Sequence, residues 1–339
     1  MTRFLAIPGL DAANYARHEL HADARLWVEK NCYVDVVIEM LHALRFEPLA
    51  AMGFCVAVDF EGDNFTFFKP SHDEIRSLYG VDIQELNVWR PLIEHVEHHL
   101  AAGKLLSTEA DSFFLPDTSG TDYRRNHVKT TIIIADVDAE RRRLGYFHNA
   151  SYHALEGDDF EQLFRLKAAP DATALPFFAE LIRFDRGVHR STVELARMAR
   201  AILGTHVERR PAANPIESFG RRFAADLSSI QERGLAFYHQ WAFATIRQFG
   251  AAYELLEHHL RWLARIDRGG ADDASTLTSA AEDFGLVSAG AKAFILKAAR
   301  AVNSRKPFDA SATIDEMARA WSRGIASLEQ LALPSRSAA

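Results

Sequence analysis

The first part of the chain alternates short β-branched runs with short helical patches. Residues 130–134 (Thr-Thr-Ile-Ile-Ile) are the most strand-like run, because β-branched side chains pack well on a pleated surface. Residues 105–110 predict a strand before this run, and residues 144–147 predict a strand that returns after a turn. Residues 54–60 and 65–68 flank a turn of Gly, Asp and Asn, and they predict a β-hairpin.

Three short helices are predicted among these strands. Ser71 and Glu74 form a capping box that begins one helix, which Gly80 ends. Pro91 stands at the first turn of a second helix, and the residues from Gly157 begin a third. The mixture indicates an α+β domain.

The chain after residue 185 has no strand-like run, and its apolar residues recur at helical spacing. The predicted helices cover residues 191–203, 216–230, 236–266, 280–302 and 314–331. The sequence therefore predicts an α+β domain over residues 1–186, an all-helical domain over residues 187–333 and a frayed tail at 334–339.

Composition and charge exclude several classes of function. Lys and Arg total 39 against 46 Asp and Glu, a net charge of −7, which disfavours nucleic acid as a partner. No apolar run reaches the length of about 18 residues that a membrane span needs, and residues 1–9 are too short an apolar run for a secretory signal. Two cysteines cannot form a disulfide framework, so we expect a reduced, cytoplasmic protein.

Cys32 is the first candidate for chemistry. Asn31 and Cys32 open an apolar helix, and a thiol in the first turn of a helix faces the positive end of the helix dipole, which favours the thiolate. Backbone N–H groups at the same point, together with Asn31, can hold a developing oxyanion. The alternative interpretation is that Cys32 is a small buried apolar residue.

His127 and Asn149 complete a possible triad with Cys32. His127 precedes the strand at 130–134, and Asn149 ends the returning strand. A cysteine on an early helix, a histidine at the start of a strand and an asparagine after the next strand is the chain order of papain-like enzymes. This order predicts Cys32 as nucleophile, His127 as general base and Asn149 as the residue that orients His127. The alternative is that His127 is an ordinary core or surface histidine.

Six strings of the first domain are distinctive, namely Asn-Cys-Tyr-Val-Asp at 31–35, Val-Asp-Phe-Glu-Gly-Asp at 58–63, the segments 85–91, 115–118 and 121–130, and Gly-Tyr-Phe-His-Asn at 145–149. By these strings the chain resembles the bacterial family called domain of unknown function 1839. The resemblance extends over nearly the whole chain, and it implies no established activity.

A second, more distant likeness covers roughly residues 25–165. Asp111, Leu115-Pro116, Tyr123 and His127 follow Cys32 in an order similar to that of the N-terminal domain of the butirosin biosynthesis acyltransferase family. That likeness implies a papain-like fold and transfer of an acyl group from a carrier-protein thioester to an amine. Papain-like peptidases carry a Gln shortly before the Cys; residues 26–31 contain none, so Asn31 would take its place.

The likeness and the chain order together predict a function in secondary metabolism. The expected reaction is acyl or aminoacyl transfer through a thioester on Cys32, from the phosphopantetheine arm of an acyl or peptidyl carrier protein to a small amine. No other cofactor and no metal are expected. The residues expected to bind substrate are Asp111, Tyr123, Trp89, Arg90 and Tyr33.

Two alternatives remain open from the sequence. A papain-like cysteine amidohydrolase or peptidase would use the same triad with water as acceptor, and a non-catalytic protein that binds carrier proteins or acts as a scaffold would keep the fold with an unreactive thiol. His95 and His99 have the helical spacing of many zinc ligands, but Val96 stands where the zinc-protease motif has Glu. A solvated helix face explains these histidines equally well.

Overall fold

The computed structural model describes residues 3–167, 175–266 and 271–331, so the predicted tail at 334–339 lies outside the described residues. The chain forms two compact units. The first contains Met1–Asp23, Asn31–Pro48 and Ser71–His189, and the second contains Ala24–Lys30, Leu49–Pro70 and Arg190–Ala339. The second unit thus takes two segments that lie within the predicted first domain.

The first unit is built on an antiparallel sheet. Its strands are β1 Phe4–Leu5, β2 Asp82–Glu85, β3 Leu105–Asp111, β4 Lys129–Asp138, β5 Arg143–His148, β6 Ser151–Glu156 and β7 Ala179–Arg183. Their order is β2-β7-β3-β4-β5-β6. β1 pairs with the C-terminal part of β4, where Phe4 lies opposite Val137. The α+β class and the predicted strands that became β3, β4 and β5 are confirmed, whereas β1, β2, β6 and β7 were not predicted.

Within the described residues, the same unit has four α-helices, namely α1 Cys32–Ala43, α2 His72–Tyr79, α3 Leu92–Ala101 and α4 Asp158–Leu163. The capping signals act as predicted at α2, where the Ser71 hydroxyl accepts from the Glu74 amide at 3.2 Å. Gly80 ends α2 with a φ of 71°, a left-handed conformation that favours glycine.

The second unit is helical, as the sequence predicts. It contains a 3-10 helix at Pro48–Ala57 and the helices α5 Thr192–Glu208, α6 Pro215–Ala244, α7 Ile246–Ile266, α8 Ala271–Ser304 and α9 Ser311–Gln330. Gly234 interrupts α6 with a φ of 82°. Within the described ranges, no helix combines the length and the apolar character that crossing a membrane requires.

The predicted hairpin at residues 54–68 forms only around its turn, where the Thr66 amide donates to the Asp59 carbonyl at 2.9 Å. Residues Pro48–Ala57 form a 3-10 helix, and only one β-bridge, between Phe60 and Phe65, joins the two halves of the predicted hairpin. Phe54, Cys55 and Val56 are all buried, so this run lacks the alternation of buried and exposed residues that marks a half-buried strand. Burial within the second unit decided its conformation more strongly than β propensity did.

A buried ionic cluster fixes the segment before α1. The His21 imidazole bonds Asp35 through Nε2 at 3.0 Å and Glu39 through Nδ1, and the Tyr15 hydroxyl donates to Glu39 at 2.6 Å. Burial opposes a charge on His21, but the hydrogen bonds to the two carboxylates outweigh it and raise the pKa of His21. The cluster therefore ties residues 15–21 to the helix that begins at Cys32.

The second unit buries a neutral histidine. The Nδ1–H of His259 donates to the Leu49 carbonyl at 2.7 Å, and its side chain is completely buried. Burial lowers the pKa of His259 from 6.5 to about 4, because a charged imidazole would lose its hydration there.

Replacement of His259 by Gln should flatten the pH dependence of stability. In the unfolded chain the imidazole of His259 binds a proton below about pH 6.5, whereas in the folded protein it binds one only below about pH 4. The wild type therefore loses stability as the pH falls through this window, by about 3 kcal/mol from His259 alone. Urea unfolding at a series of pH values measures the slope. His239→Gln, which changes an exposed histidine, is the control; equal slopes in the wild type and His259→Gln would contradict the assignment.

Candidate active site

A cavity of about 630 Å³ lies at the ends of β3 and β4 in the first unit. Its walls come from β3, the start of β4, the segment that follows α4 and the segment that precedes β7. The described lining residues are Glu109, Ala110, Asp111, Phe114, His127, Val128, Lys129, Gln162, Leu163, Arg165, Leu175, Pro176, Phe177 and Phe178. The volume is in the range of sites for small molecules.

Asp111 and His127 form a hydrogen-bonded pair in the wall of this cavity. Asp111 lies opposite Lys129 in the β3–β4 register. This register brings the Asp111 carboxylate beside His127, two positions before Lys129. The Nδ1–H of His127 donates to Oδ2 of Asp111 at 2.6 Å, and the imidazole stacks on Phe113 with ring centroids 4.3 Å apart. With a proton on Nδ1, Nε2 is the basic nitrogen.

A second ion pair lies beside the first. The Lys129 ammonium donates to Oε1 of Glu109 at 2.9 Å. Side chains alternate across a strand, so Glu109 and Asp111 project from the same face of β3, and Lys129 and Thr131 project from that face on β4. Each carboxylate on this wall therefore has a basic partner.

Cys32 is the first residue of α1, where the sequence places it. Asn31 caps the helix, because its side-chain oxygen accepts from the backbone N–H groups of Tyr33 at 3.1 Å and Val34 at 2.9 Å. These two N–H groups are consequently engaged by Asn31. The predicted oxyanion site at this helix end would have to use other donors.

The sulfur of Cys32 faces Thr131 and not His127. The Thr131 hydroxyl lies 3.7 Å from Cys32 Sγ. Thr131 lies four positions after His127, about 13 Å in extended chain, and Asp111 and Phe113 hold the His127 ring at the far end. No hydrogen bond joins Cys32 to His127 in the described part of the chain.

Asn149 does not orient His127 in this structure. It occupies the turn between β5 and β6 with a φ of 46°, a left-handed conformation that Asn tolerates. The Nδ1 partner of His127 is Asp111, a residue predicted only to bind substrate. The orienting group is thus a carboxylate on the neighbouring strand and not an amide on the returning one.

Three other predicted substrate-binding residues are absent from the described lining of the cavity. The Tyr123 hydroxyl donates to Asp159 at 2.8 Å. Trp89 is 78% exposed just before α3, and the Arg90 guanidinium lies 5.3 Å from the centre of its ring. Neither Trp89 nor Arg90 contacts Asp111 or His127 in the described structure.

Tyr33, the fourth, belongs to a separate polar cluster. Its hydroxyl lies 2.7 Å from Nε2 of His72 and 3.2 Å from the buried Glu180 carboxylate on β7. Burial, followed by the charge of Glu180, raises the pKa of Tyr33. The phenol is therefore a hydrogen-bond donor and not a base.

A third polar chain was not predicted as a unit. His148 Nδ1 lies 2.6 Å from Asp117, and its Nε2 lies 2.9 Å from the Thr130 hydroxyl. Burial alone would raise the pKa of Asp117, but the hydrogen bond and the charge of His148 outweigh it and lower the pKa. Thr130 and His148 project from the face of the sheet opposite Thr131, so this chain is separated from Cys32.

Two histidines of α3 have the spacing of zinc ligands. The rings of His95 and His99 stack with centroids 6.2 Å apart, and burial and neighbouring positive charge lower the pKa of His99 to about 4. Among the residues that the structure describes, no group of three or more His, Cys, Asp or Glu side chains converges closely enough to hold a metal ion.

Comparison with known proteins relates both halves of the sequence to one protein family. The chain matches the DUF1839 N-terminal domain over residues 16–184 and the DUF1839 C-terminal domain over residues 192–330. No curated protein matches it. The two matches together cover most of the chain, and the protein therefore belongs to the DUF1839 family.

Proposed function

We propose that the protein transfers an acyl group from a thioester to an amine, with His127 as the general base. The observation that carries this proposal is the 2.6 Å hydrogen bond between Asp111 and His127 in the wall of a 630 Å³ cavity. Asp111 fixes the proton on Nδ1, which leaves Nε2 directed to accept a proton from a bound substrate.

The reaction follows from this placement of the proton. The amine nitrogen attacks the thioester carbonyl carbon, and His127 Nε2 takes a proton from that nitrogen. The bond between carbon and sulfur breaks, and the departing thiolate recovers the proton from the imidazolium. The Asp111 carboxylate stabilises the imidazolium between these two steps. The products are an amide and a free thiol.

The donor in this proposal is the phosphopantetheine thioester of an acyl or peptidyl carrier protein. The cavity is bounded largely by aromatic and aliphatic side chains, which suits an acyl chain, and it has an opening to solvent through which an arm can enter. Neither a metal ion nor a further cofactor has a role in these steps.

A second route passes through Cys32 and is the papain-like alternative. Cys32 lies in the first turn of α1, and the Thr131 hydroxyl contacts its sulfur, a placement typical of a helix-borne nucleophile. Such a route would form a thioester on Cys32 before transfer to an amine or to water. It requires a base other than His127 as that residue is now placed.

The Asp111–His127 pair should control turnover. We expect His127→Gln to lower kcat by roughly 10²–10⁴-fold, because it removes the general base, and Asp111→Asn to lower kcat by at least about tenfold. Mass spectrometry of the amide formed from acylated carrier proteins and a panel of amines measures the rate. His98→Gln changes an exposed histidine of α3 and should act as wild type. A His127→Gln variant with unchanged kcat would rule out the proposed base.

Cys32→Ala should distinguish the two routes. In direct transfer the wild type carries no acyl adduct on Cys32, and Cys32→Ala keeps kcat within about twofold. The measurement is intact-protein mass spectrometry after mixing with the acylated carrier, followed by the amide assay. An adduct that disappears in Cys32→Ala together with turnover would establish the papain-like route instead; free acid released without an amine would indicate a hydrolase.

A further inference from the structure

The described lining of the cavity contains three basic side chains and two carboxylates. Glu109 pairs with Lys129 and Asp111 with His127. Arg165 also lines the cavity, and within the described ranges no carboxylate lies within ion-pair distance of its guanidinium. The Arg165 guanidinium can therefore form a charge-assisted pair with a ligand carboxylate.

Arg165 is held in position by its surroundings. Its backbone has a φ of 55°, which is uncommon for a residue other than glycine. The guanidinium lies 4.3 Å from the centre of the Phe177 ring, and one of its N–H groups donates to the Leu175 carbonyl at 3.2 Å. An arginine side chain has five N–H donors, so after the bond to Leu175 the guanidinium still has donors for a planar carboxylate.

The rest of the wall is apolar. Phe114, Phe177 and Phe178 contribute aromatic rings, and Leu163 and Leu175 contribute aliphatic side chains. Leu163 is buried, whereas Leu175 and Phe178 are exposed enough to be covered by a ligand. Burying such surface favours a ligand with an apolar body.

We propose that the acceptor amine is the α-amine of an amino acid with an apolar side chain. Its carboxylate binds Arg165, its amine faces Nε2 of His127, and its side chain packs among Phe114, Phe177 and Phe178. The assignment of the amine rests on the proposed function, whereas the assignment of the carboxylate and the side chain rests on the cavity wall. The product is an N-acyl amino acid.

A single carboxylate fits the wall better than a larger anion. The Lys129 charge is already neutralised by Glu109, so a diphosphate would meet two nearby carboxylates and, among the described lining residues, only Arg165 as a cation outside an ion pair. An amine that lacks a carboxylate would leave Arg165 without a counter-charge from the described residues. An amino acid supplies both a carboxylate for Arg165 and an amine for His127.

Direct binding tests this proposal without any turnover. Calorimetry compares L-phenylalanine, phenethylamine, which lacks the carboxylate, and L-leucine. In the wild type we expect L-phenylalanine to bind at least about tenfold more tightly than phenethylamine, because an Arg–carboxylate pair is a charge-assisted interaction. L-leucine should bind, and it reports on the aliphatic part of the wall.

The variants identify the residue responsible. Arg165→Gln should remove the preference for L-phenylalanine over phenethylamine, and Arg165→Lys should restore part of it. Arg141→Gln, at an exposed arginine in the turn between β4 and β5, is the matched control and should leave both affinities unchanged. Thermal unfolding of each variant shows whether it is folded.

Two results would overturn the proposal. One is a wild type that binds phenethylamine and L-phenylalanine equally or binds neither; the other is a folded Arg165→Gln variant that keeps the full preference. These failures differ from a failure of the acyl-transfer proposal. If L-phenylalanine binds through Arg165 but no amide forms, the reaction is wrong and the site stands. If amides form only with amines that lack a carboxylate, the reaction stands and the amino acid does not.

Discussion

The site depends on the register of β3 against β4. Six residue pairs define it, from Leu106 opposite Ile134 to Asp111 opposite Lys129, and the ladder continues where the Ser112 amide donates to the Val128 carbonyl at 2.9 Å. Because side chains alternate along a strand, a slip of one residue would turn Asp111 to the other face and away from His127. A backbone ladder thus sets the geometry of the candidate base.

The sequence predicts which residues lie in this site better than it predicts which of them hydrogen-bond to each other. Both strands were predicted from the sequence, β4 from its β-branched run, and the capped first turn at Cys32 was predictable from Asn31. The register was not, because the segment between β3 and β4 contains two 3-10 turns and is too long to fix it as a two-residue hairpin turn does. Asn149 was favoured by chain order, and only the register shows that Asp111 takes its place.

Because side chains alternate along β4, the Cys32 thiol and the His148 imidazole are contacted by side chains from opposite faces of the sheet. Thr131 directs its hydroxyl to the Cys32 thiol, whereas Thr130, one residue earlier, bonds His148 on the opposite face. The His148 chain is almost completely buried and is closed by Asp117, so it fits a rigid polar element within the unit. The Cys32 thiol and the His148 imidazole therefore lie on opposite faces of the sheet.

Because the side chains of His127 and Asp111 are exposed to solvent, a bound ligand would change the electrostatic stabilisation of the proposed base. The His127 side chain is 67% exposed and Asp111 is 35% exposed, so solvent weakens the attraction between imidazolium and carboxylate as long as no ligand covers them. A ligand that covers the aromatic wall displaces that water, and the same two charges then interact through a medium of lower dielectric constant. The imidazolium formed by proton transfer is stabilised most when the cavity is filled. The fixed tautomer thus exists before binding, through Asp111 and Phe113, whereas the electrostatic stabilisation arises with the bound ligand.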